Sequence, residues 1–389
     1  MKRALVVGAG VAGSATAWWL ANTGWDVVLA DAKEQPNEGG YLLHLDETAV
    51  ELLRRMGLAG AVRAVSGPSP DVEIRWSKDR TSQIAAGPVE TWLTRRQNLL
   101  GVLHDHLPTV VRRRFGSALV SLETRLDGVV AQFSDDSREP FDLVVGADGI
   151  HSTVRRLIHG PDENFVYRNG ISHVWIELDE QLPNGRRAVI AGAGSMLTTL
   201  FPYHDTGTTV VCAAMPLPGP APAPEVLAER VGTSIRSLGP DMARIADAAF
   251  QARPALTRFA QVRLPGWSTS RTVLVGDSAH CVDPLSGAGA HAALLAAHSL
   301  AHCLEAETNL AAALAMFKDT VHPFAAAQQQ LTARLVEYVA ETGGRRRLSM
   351  LVDGARELGR LLPAALSATG RRALSGVPVR SGDKRFSAA

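Results

Sequence analysis

The sequence predicts an α/β fold built on two sheets of opposite character: a parallel sheet wound by β-α-β units, and an antiparallel sheet from the middle of the chain. A C-terminal helix lies beyond them. Three observations predict it. An apolar run, Arg3 to Val7, leads through a glycine-rich turn and a helical stretch into a second apolar run, Trp25 to Ala30. Apolar runs of the same kind return far along the chain at Phe141–Val145 and Val273–Val275, as buried parallel strands do. Between them, from about 163 to 265, stretches such as His173–Leu178, Ala188–Ala191 and Thr208–Ala213 alternate, the pattern of antiparallel strands.

The bulk properties bound the answer. With 389 residues and 46% apolar content, the chain can bury cores for two domains. A formal net charge of +1 gives no global electrostatic case for nucleic acid. No apolar run is long enough to span a bilayer. The N-terminus opens on Lys2 and Arg3 and runs straight into a strand, without a signal core and cleavage site, so a cytoplasmic location is expected. Cys212, Cys281 and Cys303 are widely separated and fit neither a zinc spacing nor a disulfide framework. They read as reduced core thiols, and no metal site is predicted.

Taken in order, the strand at 3–7 is followed by a helix from Ser14 to Asn22 that Gly24 stops, and then by the strand at 25–30, which Asp31 ends. A right-handed crossover places both strands in one parallel, Rossmann-like sheet. Residues 47–57 read as an amphipathic helix, and 71–93 as a polar hairpin region turning near Lys78-Asp79-Arg80. Arg96 to Leu107 is helical, with Leu99, Leu100 and Leu103 on one face. Residues 116–134 alternate as β-structure. Helices are expected at about 224–238 and 241–250, and a long alanine-rich helix from about 288. The expected partition is a cofactor domain of 1–63, 94–160 and 266–342, a substrate domain of 64–93 and 161–265, and a C-terminal helix and basic tail over 343–389.

Three motifs carry chemistry. The first is Gly8-Ala9-Gly10-Val11-Ala12-Gly13, a G-x-G-x-x-G between strand and helix. Gly8 permits the tight turn, Gly10 lets a pyrophosphate approach the backbone, and Gly13 lets helix and strand pack closely. The helix N-terminus offers N–H groups to phosphate charge, and Asp31 is placed to accept from a ribose. This motif alone does not separate FAD from NAD. The second runs from Asp142 through Gly146-Ala147-Asp148-Gly149 to Ser152, Arg155 and Arg156. Its strand end brings Asp148 to the cofactor, while its arginines either meet phosphates or cap a helix. The third is Gly276-Asp277-Ser278-Ala279-His280, then Pro284 and Gly287-Ala288-Gly289-Ala290. A strand-end carboxylate suits a polyol hydroxyl. A glycine-rich turn opening a helix presents donors and positive dipole to an electron-rich ring edge, which suits the flavin pyrimidine.

Together and in this order, the motifs resemble those of the group A flavoprotein monooxygenases: the para-hydroxybenzoate hydroxylase type, in a compact branch similar to the tetracycline-inactivating monooxygenases. The resemblance covers most of residues 3–340. It implies FAD as cofactor, with Gly8, Gly10, Ala12 and Gly13 at the pyrophosphate and Asp31 at the adenosine ribose. The arginine common in the family after that aspartate is absent here, and Lys33 stands two residues on in its place as the candidate basic group. The resemblance also implies Arg96 on the ribityl-phosphate side, Asp148-Gly149 near both FAD and an incoming nicotinamide nucleotide, and Asp277 on the ribityl chain. Pro284 and Gly287, Ala288, Gly289 and Ala290 would line the isoalloxazine. The implied reaction is NAD(P)H-dependent hydroxylation of an aromatic or polycyclic small molecule by molecular oxygen through a C4a-hydroperoxyflavin, in a monomer or homodimer. The chain departs from the family at His291, where asparagine is common, and in having alanines at 296–297.

No second dinucleotide motif is present, so a nicotinamide would visit the flavin domain transiently. His44 and Tyr203 are the candidate residues for acting on substrate. His44 follows Gly39-Gly40, and Tyr203 with His204 follows Phe201-Pro202 at the face of the middle sheet. Arg186-Arg187 is a lesser candidate for steering an acid. Trp175 and Trp267 read as core or pocket walls. The alternatives are an oxidase, epoxidase or reductase of the same fold, or a non-catalytic flavin- or ligand-binding protein.

Overall fold

The computed structural model describes residues 1–35, 42–77, 80–86, 90–168, 170–185, 187–193, 195–203, 207–258 and 260–340. Its central sheet is six-stranded, in the order 268–269, 272–274, 143–146, 3–7, 26–30, 112–114. All neighbours are parallel except the edge hairpin 268–269/272–274. The inner strands are buried throughout: Ala4, Leu5, Val6, Leu143, Val144 and Val273 have no exposed surface. That is why they read as continuous apolar runs rather than alternating ones.

Register explains why motifs scattered along the chain meet. Val7 pairs with Ala30 on one side and Gly146 on the other, and Gly146 pairs with Leu274. Gly8, Asp31, Ala147 and the 275–277 turn therefore all leave the same carboxyl edge of four adjacent strands. Ligands of open α/β sheets bind at that edge.

The first helix spans Val11–Asn22, three residues earlier than expected, because Gly10 is extended and acts as its N-cap. Its residues Val11 to Leu20 are all buried, sandwiched between the sheet and the helix Gly289–Ala306. Past that helix a second one, Leu310–Ala340, runs through Pro323, a residue that ordinarily removes an interior hydrogen bond. The alanine-rich helix expected from about 288 is Gly289–Ala306, and this second helix follows it. The C-terminal helix and tail expected over 343–389 lie outside the described residues.

The second large sheet is seven-stranded, in the order 255–258, 171–178, 208–216, 196–203, 188–193, 72–77, 80–84. The hairpin Val72–Ser77/Arg80–Ile84 extends its edge, entering parallel to Ala188–Ala193; Lys78 and Asp79 at its turn lie outside the described residues. Trp92–Arg95 does not belong to that hairpin. It pairs instead with Leu42–Leu45 and Ser66–Pro68 in a small separate sheet. Helices Pro224–Arg236 and Ala243–Gln251 cover one face of the large sheet. Val231, Ile235, Ile245 and Ala249 from these helices join Val174, Val189 and Val211 from the strands in a second core.

Among the described residues no helix is long and apolar enough to cross a membrane. All three cysteines are buried and unpaired; burial pushes the Cys303 thiol up to about 11.

Two buried histidines make stability depend on pH. Burial lowers His280 to about 4, and its Nε2 accepts the Gly276 N–H at 3.2 Å, a bond only the neutral ring can make. Burial, with Arg55 and His302 adding repulsion, lowers His298 to about 3. Both rings bind protons more readily unfolded, near the ordinary value, than folded. Stability is therefore fully present above about pH 6.5 and falls below it, by up to about 1.4 kcal/mol per pH unit for each ring. Urea midpoints measured from pH 7.5 to 5 should drop steadily, and His298→Leu should flatten the drop; a flat wild-type profile would refute this account.

Candidate active site

The glycine-rich turn is built by close approaches that side chains would block. A Cβ on Gly13 would lie 1.8 Å from the Gly8 carbonyl oxygen, and one on Gly8, at φ +102°, would lie 2.5 Å from the Ala147 oxygen. Gly10 differs: a Cβ there meets nothing nearer than the Arg96 guanidinium at 3.7 Å. Its open side faces a cleft of about 630 Å³ that Gly10, Val11, Ala12 and Arg96 line. This is space for an anionic group between a helix N-terminus and an arginine.

Asp31 does more than sit at a strand end. Its Oδ2 accepts the Ala9 N–H at 2.7 Å and its Oδ1 accepts the Lys33 N–H at 2.9 Å, so it fixes the turn while keeping lone pairs for a further donor. Lys33 contributes its backbone here; its side chain is exposed. A second brace went unseen in the sequence. His104, buried in the helix Arg96–Asp105, places Nε2 at 3.0 Å from the Ala9 oxygen and 2.9 Å from Ser14 Oγ. A single histidine at a buried helical position carries no pattern that separates it from ordinary core.

The other motifs divide between cleft and scaffold. Asp277 lines the cleft, its face open while protein surrounds the rest of the side chain. That surrounding mass raises its carboxyl pKa, against the pull of Cys281 and Arg96. Pro284, Gly287, Gly289 and Ala290 line the cleft as well. Ala288 is buried beside it, with its N–H held by Ser286 Oγ at 3.1 Å. Gly149 reaches the cleft, but Asp148 turns away. Its carboxylate accepts from Ser152 Oγ and from the Thr153 and Val154 N–H groups at 2.7 and 3.1 Å, binding the N-terminus of helix Thr153–His159. The arginines of that motif are structural too. Arg155, with no exposed surface, donates to the carbonyls of Ser278 and Ile150 and to Asp162. Arg156 donates to the His151 carbonyl and Asp162.

The far wall comes from the antiparallel sheet. Trp175, Leu256, Thr257 and Arg258 line it, with Trp175 Nε1 donating to Thr257 Oγ1 at 3.1 Å. Leu42 and Leu43 close the side. Behind Trp175 and Thr257, His173 Nε2 lies 3.1 Å from Asp283 Oδ1, both side chains fully buried, and the Ala260 N–H donates to Asp283 Oδ2. Asp283 is one of two non-glycine residues with positive φ among the described residues, at +77°.

Neither residue expected to act on substrate lines this cleft. Tyr203 is buried beneath the Arg95 guanidinium, with its hydroxyl bound to Asn98 Nδ2 at 3.1 Å and donating to the Val65 carbonyl at 3.4 Å. It fastens the antiparallel sheet to its neighbours. His44 is exposed on the strand whose Leu42 and Leu43 form the cleft wall. Gly39, Gly40, His204 and Arg186 lie outside the described residues.

Arg155→Met should cost about 3–5 kcal/mol in unfolding free energy, because it strands buried acceptors, and it should loosen the 277–280 turn. A midpoint within error of wild type would show that the buried guanidinium does not hold that turn.

A family model described as FAD binding domain matches residues 1–332. An uncharacterized protein of Mycobacterium tuberculosis H37Rv is 30% identical over 325 residues, 79% of this chain and 86% of that protein. The 3-amino-4-hydroxybenzoate 2-monooxygenase PtnB3 of Streptomyces platensis is 28% identical over 322 residues, 78% of this chain and 80% of that one. Among solved structures, Klebsiella pneumoniae HpxO complexed with FAD and uric acid superposes with a TM-score of 0.83 at 19% identity, covering 95% of this chain and 97% of its own. With its turn, cleft and matched span in agreement, the protein belongs to the FAD-binding domain family, in its flavin-dependent monooxygenase branch.

Proposed function

We propose that this enzyme takes reducing equivalents from NADH or NADPH and inserts one atom of dioxygen into an aromatic or polycyclic small molecule. The observation that carries the reading is a convergence. Gly10, Arg96, Asp277 and the Gly287–Ala290 turn, from distant parts of the chain, meet on one cleft whose opposite wall is the Trp175–Thr257 face of the other sheet. One side supplies donors and charge for a dinucleotide; the other supplies an indole and aliphatic surface for a flat apolar ligand. The kinship to an aminohydroxybenzoate monooxygenase supports an aromatic substrate.

The residues present fit FAD. The open side of Gly10, the N-terminus of helix Val11–Asn22 and Arg96 would hold the pyrophosphate, and the remaining lone pairs of Asp31 would take the ribose. Asp277 would accept from the ribityl chain. Pro284 and the Gly287–Ala290 turn would border the ring, where the N-terminus of helix Gly289–Ala306 favours negative charge. Bound and reduced, FAD supplies the oxygen-activating chemistry. The chain's work is to hold the cofactor, orient the substrate against Trp175 and keep water out of the closed cleft. Gly149, at the cleft mouth with Ile150 and His151, is where a nicotinamide nucleotide would visit.

Anaerobic stopped-flow mixing of the FAD-loaded protein with NADH or NADPH, with and without a panel of phenols and polyketide-like ligands, tests the reading. Bleaching that one ligand accelerates at least tenfold is expected; no bleaching by either nucleotide would overturn it in favour of an oxidase or a flavin-binding protein. Asp277→Ala should weaken FAD binding at least tenfold in a fluorescence titration, and Asp277→Asn less.

A further inference from the structure

Behind two walls of the cleft, two titratable side chains meet that no step above uses. Asp46 is buried between strand Leu42–Leu45 and helix Glu47–Arg55. Its Oδ1 caps that helix by accepting the Ala49 N–H at 2.9 Å. Its Oδ2 lies 2.7 Å from Nδ1 of His291, a side chain only 2% exposed. The approach is out of line for a full hydrogen bond. Nε2 of the same ring has no hydrogen-bond partner among the described residues.

The location gives this pair something to respond to. Leu42 and Leu43, on the strand before Asp46, line the cleft, and so do Gly289 and Ala290, just before His291. The Asp46–His291 contact therefore joins two cleft walls. The groups facing it are few. The strand contributes His44, which is accessible but ringed by protein that lowers its pKa, and helix Leu310–Ala340 contributes the Phe324 ring, 4.3 Å from the imidazole. Burial works to raise the Asp46 carboxyl, but His291, the Ala49 N–H and His44 outweigh it and hold it below the ordinary value. It is a carboxylate at neutral pH. With the Asp46 carboxylate against Nδ1 and no partner at Nε2, Nε2 is the ring atom at which a proton could be added, and Asp46 is the charge that would balance it.

We propose that Asp46 and His291, with His44 beside them, form a proton-loading site for cofactor reduction: as FAD gains negative charge, His291 takes up a proton at Nε2 and Asp46 stabilises the imidazolium. This rests on the reading of the Gly287–Ala290 turn as the ring end of the cofactor site. The electrons come from a nicotinamide nucleotide or another reductant, and the proton from solvent. One N–H bond forms at His291 Nε2 and breaks again when the cofactor is reoxidised. His291 is thus a positioning and charge-balancing residue rather than a catalytic one.

The experiment is a dye-equilibrated dithionite titration of the FAD-loaded enzyme from pH 5.5 to 8.5, with no substrate or nicotinamide present. The pH-dependence of the midpoint potential gives the protons bound per FAD reduced. Wild type should bind close to one more proton than His291→Gln within that range. Asp46→Asn, which preserves the helix cap, should move the uptake to lower pH by at least one unit. Equal proton counts in wild type and His291→Gln, both with FAD fully bound, would overturn the proposal. Should His291→Gln not retain FAD, an Asp46→Asn profile identical to wild type would overturn it equally. A wild-type protein that bound no FAD at all would overturn the reading of the cleft first, and this proposal with it.

Discussion

The contact between the first helix and the first strand governs the site. Helix Val11–Asn22 can start where it does only because Gly13 lies against the Gly8 carbonyl, and Gly8 against Ala147. Those two approaches set the distance between the helix N-terminus and the carboxyl edge of the sheet. Every other cofactor-facing group is placed relative to that edge. Asp31 and His104 brace the same turn from opposite sides, through the N–H and the carbonyl of one residue, Ala9. The donors of the turn are therefore already oriented before a phosphate arrives, which is what makes binding at a helix terminus effective.

Much of this was legible in the sequence, for physical reasons. A buried parallel strand must be apolar on both faces and must end where a ligand or a helix begins, so strands 3–7, 26–30, 143–146 and 272–274 announced themselves. Glycines that allow close approach have no substitute, so the turn at 8–13 was readable. What stayed hidden depends on direction rather than residue type. Asp148 ends its strand in the expected place, yet its carboxylate serves a helix terminus, and Arg155 is a buried clamp. Pattern locates a side chain along an element but does not say which of two nearby demands it satisfies. Tyr203 shows the same limit: it lies on the predicted sheet, while its hydroxyl faces Asn98 and Val65 instead of the cleft.

A buried pair ties the antiparallel sheet to the loop that lines the cleft. His173 on the antiparallel sheet and Asp283 on the cleft-lining loop form a fully buried pair, and Asp283 holds a left-handed backbone to make it. A buried pair of this kind adds little net stability, since desolvation offsets attraction, but losing one partner is expensive. Its value lies in geometry. It ties the wall that carries Trp175 to the loop that carries Pro284, two surfaces of the same cleft.

The order of strands in the parallel sheet also bears on when the site comes into being. Strand 272–274 and the turns at 277–290 complete an edge begun by residues 3–31, with the whole antiparallel sheet made in between. Chains emerge from the ribosome N-terminus first. A nascent chain therefore exposes its glycine-rich turn long before the residues at 277–290 that line the cleft with it have been synthesised. A chain cut short before residue 277 would carry the glycine-rich turn and the opposite wall of Trp175 and Thr257, but neither Asp277 nor the 284–290 side of the cleft.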